Sequence, residues 1–323
     1  MARSSTNLVV GLLIALASAS AFGSSGALAK GLLAAGWTPA AAVVWRVTLG
    51  ALALLVPAGL AMRGRWPALG RGWRSVVLFG LVAVAGCQLA YFQAVERLSV
   101  AVALLLEFSG GILLVVLWLW VRRGRRPRRL TLVGSAIALI GLTLVVDVFG
   151  ALDVDVIGVL WGLAAALGMA AYFVISEDES HGLPTIAVAA GGLLVGAVVL
   201  LLAGAFGVID IVWQPTEVLL AGWSVPWWAG VLALSLFAAA FAYGSGVAAV
   251  RRLGSKLASF VGLSEVLFAV GWAWLLLAEV PAPVQLLGGA FIVVGAVVVR
   301  LDSEQAVGAD ATTGPVPEVA VGD

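Results

Sequence analysis

Long apolar runs alternate with short polar breaks along almost the whole chain. Ten runs of helical length, rich in Leu, Ala, Val and Gly, cover residues 8–29, 40–62, 75–95, 99–121, 130–149, 156–176, 184–206, 227–250, 256–278 and 282–300. A helix that crosses a bilayer needs about 20 apolar residues. These runs lack the strict alternation of a barrel strand. In lipid the backbone must satisfy its own hydrogen bonds, so each run is expected to be a helix. The pattern predicts an all-α integral membrane protein with ten transmembrane helices.

Composition narrows the function classes. The 323 residues are 63% hydrophobic and only 11% charged, with a mean hydropathy of +1.13. An ordinary soluble domain carries about 25% charged residues. A soluble enzyme, a nucleic-acid binder and a disordered scaffold all conflict with this balance. Cys87 and His181 are single occurrences, which excludes a disulfide framework and argues against a structural metal site. There is no phosphate-binding glycine loop ending in Lys-Ser/Thr, and no catalytic triad pattern. No cofactor is expected. The 40 glycines fall mostly inside the spans, where small residues let helices approach closely.

The N-terminus resembles a signal peptide in part, with Arg3, an apolar run and the small residues Ala27-Leu28-Ala29. The run is long for that role, and two halves of equal helix number require it as a retained helix.

The basic residues orient the chain. Arg63, Arg65, Arg71 and Arg74 lie between spans 2 and 3, and six arginines of 122–129 between spans 4 and 5. Arg251, Arg252 and Lys256 lie between spans 8 and 9, while Arg3 and Arg300 flank the two ends. All of these fall on one side, with Lys30 and Arg97 on the other. Basic residues accumulate in cytoplasmic loops. Both termini are therefore predicted to be cytoplasmic, in a multi-pass protein of the cytoplasmic membrane. The arginine run 122–129 suits anionic lipid better than nucleic acid.

A weak internal repeat is present. Tyr91, Leu98-Ser99, Glu107 and an apolar span at 134–146 parallel Tyr243, Leu253-Gly254, Glu265 and a span at 288–299. Residues 1–150 and 151–302 are thus read as two five-helix repeats, and 303–323 as a disordered cytoplasmic tail. An odd helix number inverts the second repeat relative to the first, the arrangement of inverted-repeat transporters with a midplane site.

Three residues stand out inside the spans: Arg46, Glu107 and Glu265. A charge at the bilayer centre costs about 2.5–3.5 kcal/mol on insertion scales. The functional reading has them face a polar cavity, with Arg46 paired to Glu107 or to a substrate carboxylate and Glu265 taking up a proton. The plainer reading is a polar clamp between helices. Helical spacing adds Gln88 and Tyr91 on one face of span 3, Trp161, Ala165, Gly168 and Tyr172 on one face of span 6, and Ser235, Ala239, Tyr243 and Gly246 on span 8. Ordinary helix packing is the plainer reading for each. Ser24 and Ser25 fit backbone or substrate hydrogen bonds. Trp37, Trp66, Trp73, Trp213, Trp223, Trp227 and Trp228 sit at predicted span ends and fit an interfacial aromatic belt. The stretch 207–226 is long enough for an interfacial segment or partial lid.

The order of short motifs resembles the drug/metabolite transporter superfamily, specifically its EamA-type ten-helix exporters. Phe22-Gly23-Ser24-Ser25 followed by Lys30 is similar to the family's Trp-Gly-Ser … Lys pattern, and Trp45-Arg46-Val47 to its arginine near the start of helix 2. Ser264-Glu265-Val266, Leu277-Ala278-Glu279 and Gln285-Leu286-Leu287-Gly288 match Glu-Pro, Leu-Gly-Glu and Gln-Leu-Leu-Gly, with Val266 replacing proline and Ala278 glycine. Ala103-Leu104-Leu105-Leu106-Glu107-Phe108-Ser109-Gly110 resembles a stretch of the threonine/homoserine exporter branch, with Gly111 where that branch has proline. The resemblance implies a secondary exporter of small metabolites, amino acids foremost, working by alternating access. Arg46, Gln88, Tyr91, Glu107, Trp161, Tyr172, Tyr243 and Glu265 are the expected substrate-contacting residues. The expected partners are a small-molecule substrate, protons, the lipid bilayer and, as an open alternative, a second copy in a homodimer. A multidrug exporter of the same fold and a non-transporting membrane scaffold are the alternatives.

Overall fold

A computed structural model describes residues 2–97, 103–104, 106–108, 117, 120–121, 129–146, 155–278, 280 and 283–312. The helices are α1 (Ala2–Ala34), α2 (Pro39–Ala61) and α3 (Trp66–Arg97). Helix α4 is described only at 103–104, 106–108, 117 and 120–121. Then come α5 (Arg129–Val146), α6 (Val156–Glu177), α7 (Thr185–Ala205), α8 (Trp227–Gly262), α9 (Ser264–Leu277) and α10 (Pro283–Thr312). Six of the described helices are long and apolar enough to cross a membrane; stretches of α5, α9 and α10 form shorter apolar helices.

Local chemistry sets several boundaries. Thr38 caps α2 by accepting from Ala41 N at 3.2 Å, and Pro39 occupies the first turn, where no amide is needed. Asp155 caps α6 by accepting from Ile157 N at 2.7 Å and Gly158 N at 3.3 Å. Those two backbone bonds, aided by Arg97 3.6 Å away, hold its carboxyl below the usual aspartate value.

Two expectations are corrected and one feature is added. Span 9, read as one helix over 256–278, is discontinuous. Gly254 takes φ 76°, a left-handed conformation that breaks α8 before its last turns, and a turn at Leu263 separates those turns from α9. Second, a short hairpin is added to the all-α fold. Strands β1 (Val218–Leu220) and β2 (Trp223–Val225) pair antiparallel between α7 and α8. Their two-residue turn, Ala221-Gly222, has positive φ at both positions, as a tight hairpin requires. Third, α10 continues to Thr312, so the predicted tail from 303 begins as helix; residues 313–323 lie outside the described residues.

Packing follows an exchange pattern. Contacts of α1 with α8 and α9 are mirrored by contacts of α6 with α3 and α4, while α2 packs on α7 and α5 on α10. Exchanging helix n with helix n+5 maps this set onto itself, as a pseudo-twofold between five-helix units demands. Glycine makes the α5–α10 seam possible. A Cβ on Gly141 would meet Gly288 O at 2.6 Å, and one on Gly295 would meet Gly134 O at 2.7 Å. The backbones therefore touch directly.

The two units share one further feature. α3 is π-helical over Phe79–Gly86 and α8 over Ala233–Phe241. These are corresponding helices, and π turns recur at functional sites because they loosen the hydrogen-bond ladder.

Candidate functional site

An internal cavity lies where α1, α2, α3, α4, α6, α8 and α9 converge. It offers about 80 Å³ to the centres of water-sized groups, room for several waters. Arg46, Gln88, Tyr91, Glu107, Tyr172, Tyr243 and Glu265 all line it. Trp161 does not. It is half-buried against the hydrophobic core, more than two turns from Met169, where α6 first reaches the cavity.

Arg46 is the largest fully buried side chain among the described residues. Its Nη1 donates to Gln88 Oε1 at 2.6 Å and its Nη2 to Ala238 O at 2.6 Å. Its Nε has no partner among the described residues. The expected Arg46–Glu107 pair is not formed. Glu107 Oε1 instead accepts from Cys87 Sγ at 3.4 Å. Gln88 passes the network on, with Nε2 donating to Tyr243 Oη at 3.1 Å, and Tyr243 Oη in turn donates to Ala83 O at 3.4 Å. Ala83 and Ala238 belong to the two π segments. Each half therefore supplies a carbonyl that accepts from a cavity side chain of the other half.

Glu265 stands in the first turn of α9, just after the break at Leu263. A carboxylate there faces the positive end of a helix dipole. Its helix is pressed against α1: a Cβ on Gly23 would lie 2.8 Å from Glu265 O and 2.9 Å from Ala269 N. Glu107 is buried, whereas Glu265 is partly exposed.

Sequence spacing passed over Phe22, Cys87, Met169 and Phe173, which also line the cavity. Phe22 sits edge-on to Tyr243, centroids 4.9 Å apart, and lies 6.0 Å from Arg46 Cζ. Its place before Gly23 in the short motif of helix 1 was the available signal; Cys87, beside Gln88, had none. Ser24 Oγ donates to Ala21 O at 2.7 Å, a bond within its own helix. Among the described residues no three His, Cys, Asp or Glu side chains converge to hold a metal.

The cavity runs along α1 from Ala15 to Gly26, toward the end of the bundle that carries the N-terminus. The other end is filled. Trp37, Trp45, Trp213 and Trp227 form a cluster with centroids 5.4–6.3 Å apart. Three of these are residues read as belt tryptophans; the 206–226 strap folds Trp213 back over the α1–α2 turn, where it meets the buried Trp37. Thr38 fastens it, donating to Asp210 O at 2.7 Å and accepting from Val212 N at 3.1 Å. Trp37 Nε1 donates to Gln214 O at 2.8 Å, and Ala221 N donates to Leu276 O at 2.6 Å. Trp66, Trp73, Trp213, Trp223 and Trp228 are exposed.

The family profile described as EamA-like transporter matches residues 9–147 and again 156–301. The chain belongs to the EamA-like transporter family. The double match coincides with the two five-helix units. No curated protein matches the sequence. A solved structure titled "Crystal structure of protein" aligns with a TM-score of 0.73 at 21% identity, covering 92% of this chain and 99% of the other. That likeness concerns the fold. This EamA-like protein is thus a multi-pass membrane transporter of small molecules.

Proposed function

We propose that this transporter exports small amphiphilic metabolites from the cytoplasm by alternating access, with amino acids such as threonine and homoserine as its substrate class. One observation carries the reading: Glu107, Glu265 and Arg46 share a single cavity. Two acids face one base there. Unpaired buried charge is costly, so such a cavity favours a guest with a positive group. An α-amino acid supplies one, together with a carboxylate for the unspent Nε of Arg46. Phe22, Tyr172 and Tyr243 offer the apolar wall for its side chain. With no guest bound, a proton on Glu265 would meet the same need, which is how we assign coupling.

The charge bias places the N-terminal end in the cytoplasm. The cavity would then face inward, and the tryptophan cluster with its strap would be the closed outer gate.

The test is flux in proteoliposomes with radiolabelled threonine, radiolabelled homoserine and a cationic dye, each with and without a pH gradient. Amino-acid flux that falls in Glu107→Gln and loses its pH-gradient dependence in Glu265→Gln supports the reading. Dye flux without amino-acid flux would reassign the site to organic cations. No flux of any probe would leave a scaffold and sink the proposal.

A further inference from the structure

A second crevice lies at the end of the bundle that carries the N-terminus, away from the central cavity. Arg65 borders it at the start of α3, Glu179 and Thr185 border it around the start of α7, and Arg251 and Arg252 border it from α8. It is far roomier than the central cavity, about 610 Å³ to water centres. Three arginines line it with Glu179, and Asp178 also acts on Arg251, which leaves a small positive surplus.

Arg251 is the residue ordinary packing does not explain. Its side chain is 9% exposed, and Nη1 donates to Leu183 O at 2.6 Å. Glu179 approaches Nε only to 3.9 Å, and neither Nε nor Nη2 has a hydrogen-bond partner among the described residues. A buried guanidinium with unspent donors calls for an anion. The start of α7 adds to the demand. Pro184 caps it without a side-chain acceptor: Ala187 N and Val188 N donate to Pro184 O, which leaves the amides of Thr185 and Ile186 without an acceptor among the described residues. The neighbouring face of α3 places the crevice at head-group level: Ala68, Gly72 and Val76 are buried, while Trp66, Trp73 and Arg74 are exposed.

We propose that this crevice binds a phosphate group, held by Arg65, Arg251 and Arg252 with the α7 amides. The planar arginine fork and the helix N-terminus both match phosphate oxygens. The group can come from an anionic phospholipid or from a free phosphate compound, and the experiment separates the two. The inference is independent of what the central cavity carries.

The full-length protein in detergent is titrated with phosphatidylglycerol and, separately, with inorganic phosphate, reading lipid retention by native mass spectrometry and thermal shift. Phosphatidylcholine serves as the control lipid. The wild type should retain phosphatidylglycerol over phosphatidylcholine or be stabilised by phosphate. Arg65→Gln/Arg252→Gln alters exposed side chains only and should weaken binding about thirtyfold at two surface charges. Lipid binding without a phosphate response assigns the site to a phospholipid, and a phosphate response in lipid-free protein assigns it to a soluble phosphate. Equal retention of both lipids with no phosphate response, or full binding by the double variant, would overturn the proposal. Arg251→Lys, which keeps the charge but loses the fork, should bind more weakly than wild type while retaining its melting temperature in the absence of either probe.

Discussion

Gln88 accepts the Nη1 hydrogen bond of Arg46 at 2.6 Å and thereby ties α2 to α3 at the centre of the bundle. The same amide donates to Tyr243 across the pseudo-twofold. One neutral side chain therefore orients the buried arginine of the cavity and links the two halves.

Replacing Gln88 with Ala should leave a buried guanidinium short of an acceptor, a cost of about 1–3 kcal/mol. Gln88→Glu restores an acceptor for Arg46. The expected outcome is a lowered melting temperature and impaired flux for the alanine variant, with the melting temperature recovered in the glutamate variant. Thermal unfolding in detergent, set beside vesicle flux, checks both.

Gly246 sits directly under the Tyr172 hydroxyl. A Cβ there would overlap Tyr172 Oη and lie 2.9 Å from Ser18 Oγ. Gly246→Ala should therefore displace Tyr172 and lower flux without unfolding the bundle. Tyr172→Phe removes the clashing oxygen, and the Cζ beneath it is 3.3 Å away. The double variant should transport better than Gly246→Ala alone. If the two losses simply add, the contact is irrelevant.

Thr38 is the main clasp of the strap. Thr38→Val keeps the shape of the side chain but removes its bonds to Asp210 O and Val212 N. Each is worth about 0.5–1.5 kcal/mol, so opening of the tryptophan end should become several-fold more frequent. Accessibility of a cysteine introduced at Ala41, fully buried beside Trp37, to a membrane-impermeant thiol reagent reads this, and unchanged labelling would count against the gate.

His181 predicts a pH response at the loop before α7. Its Nδ1 accepts from Leu183 N at 3.0 Å, which places the proton of the neutral ring on Nε2. Burial, together with the positive charge of Arg251, holds the imidazolium below the ordinary histidine value of 6.5. The folded state thus disfavours the proton. Its stability is full above pH 6.5 and declines as pH falls through that value toward the lowered one. Protonation also turns the Nδ1 acceptor into a donor. Amide exchange at Leu183 should speed up below pH 6.5 beyond its intrinsic trend, and His181→Phe should show no such pH-dependent step.

Span lengths, the one-sided placement of the arginines and the three intramembrane charges could be read from the sequence because each is a local property. An apolar run of helical length must satisfy its own backbone in lipid, whatever packs beside it. The parity of the repeat followed from counting such runs. Motif residues such as Arg46 and Glu265 were visible because a charge inside an apolar run is conspicuous and costly.

What Arg46 bonds to was decided only by tertiary structure. The choice of Gln88 and Ala238 O over Glu107 depends on how far apart three helices stand, and on a π segment that frees a carbonyl. Trp213 looked like a belt residue because its sequence neighbours are interfacial. It lies in a tryptophan cluster because a strap returns it to Trp37, which is 176 positions earlier in the chain. Trp161 had the right helical face but the wrong height along the helix, and spacing encodes only the face. Periodicity describes one helix at a time, whereas a cavity is a relation among seven.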